Sequence, residues 1–303
     1  MADYQEYRRR ILHKRWRRRF VAAALLLLLI LLGTVGMLWR VLHRTQVQRP
    51  TGDVTILQQA LPGSEWNTIG YTPARRLSVQ TRADGSTALD FRMAALPESP
   101  AVDRSVFNTA SFLGDSLTQG MQIYDTGLPN AMFCAYKGVG PNAVVNGTPC
   151  KRADGVKEIP MEAMTAQHPT ELYILLGTNV LNRDGDYSSF LTYYRLMLDM
   201  LSQSLPGTTI YVQSITPVRP EVRQSHPGLY RDRLCEINNE LAAIALEKGC
   251  SFLNLWEVLA DDNGDLKEEY AQKDGYHIKP EGYTAWVNYL CTHRVNENVT
   301  AAA

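Results

Sequence analysis

Ala110-Ser111-Phe112-Leu113-Gly114-Asp115-Ser116-Leu117 is the stretch on which the fold turns. Residues 110–113 form an apolar run of strand length. It ends on a Gly-Asp turn, and the chain then enters residues suited to open a helix. Reading outward, similar runs stand at residues 132–136, 172–176, 210–215 and 252–255, each bounded by turn residues. Helical patterns fill the intervals. Asp186 can cap a helix that carries Phe190, Tyr194, Met197, Leu198 and Leu201 on one face. A second helix carries Leu234, Ile237, Leu241, Ile244 and Ala245 and stops at Gly249, as a glycine just past a helix end would make it. A last amphipathic stretch runs over residues 281–295. Apolar strands alternating with helices predict a mostly parallel sheet covered on both faces. Five of them predict a flavodoxin-like three-layer α/β/α sandwich, with its site at the carboxyl ends of the strands.

Composition bounds what such a fold can do. The chain has 303 residues, 45% apolar and 20% charged, with zero net charge. Eleven of its 31 basic residues but only two of its 31 acidic ones (Asp3, Glu6) fall within residues 1–50. The remaining chain therefore holds twenty basic against twenty-nine acidic side chains. An acidic globular part lacks the basic footprint that nucleic-acid binding needs, so no nucleic-acid partner is expected.

The basic charge sits beside an apolar segment. Residues 20–39 carry no charge and are long enough, at about 1.5 Å per helical residue, to span a hydrocarbon core of about 30 Å. Eight basic residues precede the segment, and Arg40, Arg44 and Arg49 follow it, so the positive-inside bias puts the N-terminus in the cytoplasm. A cleaved signal peptide would have a shorter apolar core followed by a small-x-small site. Here Gly33-Thr34-Val35-Gly36 lies inside the apolar run. The expected organisation is a cytoplasmic tail (1–19), a single transmembrane helix (20–39) and an extracytoplasmic stalk with a small hairpin or edge strand (40–104). The α/β domain (105–296) and a short tail (297–303) follow. Five cysteines without a CxxC spacing leave room for one disulfide but do not fix a pair.

Three loops following strands carry chemistry. In Gly114-Asp115-Ser116-Leu117 the serine hydroxyl stands at a helix N-terminus, where backbone N–H groups favour a developing oxyanion. Asp and Ser there also simply cap helices. In Leu176-Gly177-Thr178-Asn179 a carboxamide can donate into the same cleft. In Asp274-Gly275-Tyr276-His277 an acid three residues before a histidine can accept Nδ1–H and leave Nε2 as a base. Each segment alone has an ordinary structural explanation; together they stand at one end of one sheet. Asp261-Asp262-Asn263-Gly264-Asp265 has a calcium-loop look without the closing Glu, and reads as an acidic turn. His226, in the Pro-rich stretch 217–227, reads as a loop histidine that can also line a substrate cleft.

The three loops taken together resemble the GDSL, or SGNH, hydrolase family, over roughly residues 105–295. Its four blocks contribute a Ser, a Gly, an Asn and a His. The resemblance implies Ser116 as nucleophile, Asp274 and His277 as the acid–base pair, and an oxyanion hole of Ser116, Gly138 and Asn179. Gly140 is the fallback glycine. Two departures stand out: Val180 follows the asparagine where the family often has Asp, and the Gly-x-x-Gly form of the glycine block is absent. The family likeness and the outward compartment imply a bacterial serine esterase removing acyl groups, acetyl among them, from a cell-surface glycan. It would use no metal and no organic cofactor. Its partners are expected to be an acylated small-molecule or glycan substrate, and the membrane through its N-terminal helix. Two other readings are an O-acyltransferase with a sugar hydroxyl as acceptor and a non-catalytic glycan-binding protein.

Overall fold

The computed structural model describes residues 79–81 and 87–295. The transmembrane helix expected over residues 20–39, the tail before it and the tail at 297–303 lie outside the described residues. Among the described residues no helix is long and apolar enough to cross a membrane.

Five strands form the central sheet: β1 (Ala110–Gly114), β2 (Met132–Ala135), β3 (Glu171–Leu175), β4 (Thr209–Gln213) and β5 (Ser251–Leu253). Their order is β2-β1-β3-β4-β5, and every neighbouring pair is parallel. This is the flavodoxin-like order, which places ligands at the carboxyl edge where the winding reverses. The helices that flank it include α1 (Ser116–Ile123), α2 (Pro141–Val145), α3 (Pro160–Gln167), α4 (Ser188–Ser204), α5 (Arg231–Glu247) and α6 (Pro280–Thr292).

Successive strand residues point to opposite faces, so the sheet builds two cores. Leu113, Cys134, Leu172, Ile174, Ile210, Val212 and Phe252 pack with α2 to α5 on one side. Phe112, Phe133, Tyr173, Leu175, Tyr211 and Leu253 pack with α1 and α6 on the other. The two long helices bury the residues expected of them: Phe190, Tyr194, Met197, Leu198 and Leu201 on α4, and Leu234, Ile237, Leu241, Ile244 and Ala245 on α5. Gly249, at φ +70°, follows the end of α5. Asp186 serves the start of α4 from one residue upstream of the Tyr187 cap, accepting from the Ser188 N–H and Oγ–H.

Part of the segment expected as a stalk is packed against the domain. An antiparallel pair, Val79–Thr81 with Thr87–Leu89, leads into a short helix, Phe91–Ala94. Phe91 is buried, with edge-on ring contacts to Phe252 and Trp256. The Leu96 N–H donates to Phe252 O, and the Ser99 N–H to Thr292 O. The five cysteines are free thiols, four of them buried. In the acidic turn, Asp261 Oδ1 accepts from the N–H groups of Asn263 and Asp265, with Gly264 at φ +82°.

Candidate active site

The first side chain of the site is set by the turn between β1 and α1. Gly114 must be glycine: a Cβ there would stand 1.9 Å from Thr118 Oγ1 and 2.7 Å from Leu175 O. Asp115 caps α1, its Oδ1 accepting from the Leu117 N–H at 3.0 Å, and Ser116 becomes the first helical residue, half-buried at the sheet's carboxyl edge.

The loop before α6 supplies the other two. Asp274 Oδ1 accepts from the N–H groups of Tyr276 (3.3 Å) and His277 (3.0 Å), while Oδ2 lies 2.7 Å from His277 Nδ1. His277 Nε2 in turn lies 3.0 Å from Ser116 Oγ. Burial pushes the Asp274 carboxyl upward, but the hydrogen bonds from the His277 ring and backbone outweigh it and hold the group below the usual carboxylate range. An ionised Asp274 can only accept, so the proton sits on Nδ1 and Nε2 is left to accept from the serine. The turn is docked on the segment after β4: the Arg219 N–H donates to Gly275 O at 2.8 Å. Gly275 has φ +80°, and a Cβ there would meet Val222 Cγ2 at 2.6 Å.

Asn179 approaches from the end of β3, and its Nδ2 donates to Asp115 Oδ2 at 2.8 Å. Asp115 is fully buried, and burial, opposed by the Leu117 and Asn179 hydrogen bonds and the neighbouring His277, pushes its carboxyl up to about 6. The two candidate glycines separate clearly. Gly138 is exposed at φ +80°, with open space where a Cβ would be. Gly140 is buried, caps α2, and a Cβ on it would meet Val180 Cγ1 at 2.6 Å. Of the two candidates for the oxyanion glycine, Gly140 is thus the one that lies against the residue following Asn179. The outward-turned Gly138 meets nothing.

One neighbour, Tyr276, had no role in the sequence reading, and the loop histidine His226 lies beside it. The Tyr276 ring lies tilted beside His277, with centroids 4.3 Å apart, and the His226 ring centroid lies 5.1 Å from that of Tyr276. The His226 Nδ1 lies 2.8 Å from Ser225 Oγ. The link between Asp115 and Asn179 joins residues 64 apart and has no local signature. Among the described residues no group of His, Cys, Asp and Glu is arranged to hold a metal ion.

Comparison with known proteins gives a family. No curated protein matches the chain. Similar solved structures include a Streptococcus pneumonia protein provisionally described as a platelet activating factor. It has 20% identity and a TM-score of 0.49, over 60% of this chain and 81% of that one. A GDSL-like lipase of Bacteroides thetaiotaomicron has 15% identity and a TM-score of 0.45, over 60% and 84% of the two chains. A lipase/acylhydrolase of Enterococcus faecalis has 12% identity and a TM-score of 0.44, over 60% and 92%. The family model described as GDSL-like Lipase/Acylhydrolase matches residues 112–285. Because that span covers more than half of the chain and runs through Ser116, Asn179, Asp274 and His277, the protein belongs to the GDSL-like lipase/acylhydrolase family.

Proposed function

We propose that the protein is a serine esterase, tethered to a membrane by residues 20–39, that removes acyl groups, acetyl above all, from a glycan outside the cell. The observation that carries the chemistry is the continuous chain Ser116 Oγ to His277 Nε2 to Asp274 at 3.0 and 2.7 Å. In this reading Ser116 Oγ attacks the ester carbonyl carbon as its proton passes to Nε2. The oxyanion is held by the N–H groups of Ser116 and Gly140 and by the Asn179 carboxamide. The tetrahedral species collapses, the imidazolium gives its proton to the departing alcohol, and an acyl-serine remains. Water, deprotonated by the same His277, releases the acid and restores the serine. Asp274 holds the ring in the required tautomer and offsets the imidazolium charge. The tether rests on the uncharged twenty-residue run behind eight basic residues, and the glycan on the compartment that this topology gives the domain.

The test uses the full-length chain with 4-nitrophenyl acetate and a fluorophosphonate probe. Hydrolysis is expected in the wild type and absent from Ser116→Ala, with the label mapping to Ser116 and sedimenting with membranes. A folded chain that neither turns over nor takes the label would overturn the serine chemistry. Label without turnover in water would redirect the reading to acyl transfer.

A further inference from the structure

Beside the expected oxyanion donors lies a cavity of about 290 Å³, whose walls include Pro141, Asn142, Val180, Arg183, Tyr187 and Tyr193. Its position follows from the chain: Pro141 is the residue after Gly140, and Val180 the residue after Asn179. A Cβ on Gly140 would stand 2.6 Å from Val180 Cγ1, so the two loops approach each other beside the cavity.

The charges around it are largely committed to holding the walls. Arg233, almost wholly buried, donates from Nη1 to Leu181 O and Gly228 O and from Nη2 to Gly185 O, and its guanidinium lies over the Tyr187 ring at 5.5 Å. The Asp186 carboxylate is taken by Ser188, and Asp184 by the Gly185 N–H. Two arginines and two aspartates balance, so the cavity offers no net charge to attract an anion. The apolar Pro141, Val180, Leu181 and Phe190 in its lining are interrupted by Tyr187, Tyr193, Asn142, Ser189 and the exposed Arg183. A long acyl chain needs continuous apolar walls, because each polar group it covers loses its water. A polyhydroxylated ring, with apolar C–H faces and an edge of hydroxyls, matches phenol faces and amide, hydroxyl and guanidinium edges. Ligand cavities typically run from about 300 to 1,000 Å³. At the bottom of that range this one has room for a single ring, not a chain of them.

We infer that this cavity binds the alcohol half of the substrate as one neutral sugar unit, held between Tyr187 and Tyr193 with its ester turned toward Ser116. The inference rests on the esterase reading for its orientation, but not for its existence. In the full-length chain, Tyr193→Ala removes one face and Ser189→Trp fills the space. For both variants the ratio of kcat/KM on a mono-O-acetyl methyl hexoside to kcat/KM on 4-nitrophenyl acetate is expected to fall about tenfold, mainly through KM, the equivalent of one lost ring contact. Folded variants, checked by circular dichroism, that keep the wild-type ratio overturn it. Calorimetric binding of the same acetylated hexoside to Ser116→Ala, with and without Ser189→Trp, needs no turnover. The added tryptophan is expected to weaken binding at least about tenfold. Equal affinities, or no binding to Ser116→Ala, overturn the cavity assignment. A wild type that neither hydrolyses the nitrophenyl ester nor takes the fluorophosphonate overturns the esterase reading instead, and the calorimetry still decides the cavity.

Discussion

Asp115 does two things that a single residue type must reconcile. One carboxylate oxygen caps α1 and so fixes where Ser116 starts; the other takes an N–H of the Asn179 carboxamide. With one Nδ2 hydrogen held by Asp115, the other is free to serve an oxyanion. In Asp115→Asn the capping oxygen survives, but an amide N–H₂ now faces an amide N–H₂. Asn179→Ala is expected to lower kcat about 10²–10³-fold, the usual cost of one oxyanion donor. Asp115→Asn, by misaiming the same donor, should lower it by a lesser factor. Because the two act as a unit, the double variant should be little worse than Asn179→Ala alone; multiplying losses would separate them. The carboxyl also leaves a mark on stability. Its folded value of about 6 stands above the ordinary 3.8, so between about pH 4 and 6 the folded chain holds a proton that the unfolded chain has released. Stability from this group falls as pH rises through that window. Asp274, shifted downward, works the other way and loses its contribution as the solution is acidified. Urea unfolding at several pH values should show the first slope flattened in Asp115→Asn.

The elements owe their order to a stack of rings. Phe133, Phe112, Tyr173 and Tyr211 are register partners on four adjacent strands, with centroid separations of 5.2, 5.0 and 4.6 Å and planes within 19° of parallel. Strand spacing in a sheet is about 4.8 Å, so the pairing itself brings the rings to stacking distance. Phe112→Ala should break the stack in its middle and cost about 3–5 kcal/mol; a loss under about 1 kcal/mol in urea titration would show that the ladder adds nothing to ordinary burial. Each apolar run was legible as a strand because both faces of the sheet are covered. Its ends were less so: the runs at 172–176 and 210–215 outlast β3 and β4, since residues just past a strand can stay buried in the loops that bear the site. The packing of Phe91 against Phe252 and Trp256 had no local pattern to announce it, nor did the two-residue strands Cys150–Lys151 and Lys157–Glu158. Ser116 and Asn179 were visible because their loops follow strands, whereas the Asp274–His277 loop, expected after a strand too, lies beyond the Trp256–Leu259 helix and just before α6 and was visible from its Asp-x-x-His spacing alone. That Gly140 lies against Val180 while Gly138 faces open space depends on which way two adjacent turns face, which composition cannot encode.

At the scale of the whole domain, chemistry and anchorage occupy opposite ends of the sheet. The carboxyl edge carries Ser116, Asn179 and the loop of His277. At the other edge Glu171, 6% exposed, accepts from Tyr173 Oη–H at 2.9 Å, from Tyr211 Oη–H at 3.1 Å and from Arg294 Nε–H at 3.1 Å. Arg294 follows α6, so this pair fastens the last helix beneath the strands whose far ends bear the site. Removing one member of such a pair leaves a charge without its partner in a dry setting, which costs more than the pair contributes net. Arg294→Met should therefore destabilise the domain by about 3 kcal/mol, tempered by the arginine's partial exposure, and lower Tm by roughly 6–12 °C. Glu171→Gln in the same chain should recover most of the loss, since the unpaired charge is gone while the two tyrosine hydroxyls keep an acceptor. Because the anchorage lies a strand's length from Ser116, kcat on 4-nitrophenyl acetate measured well below the transition should stay within about twofold of wild type. Scanning calorimetry and esterase rates on the three chains decide it: an unshifted Tm denies the anchorage, and a rate that falls while the chain remains folded denies the separation of the two ends.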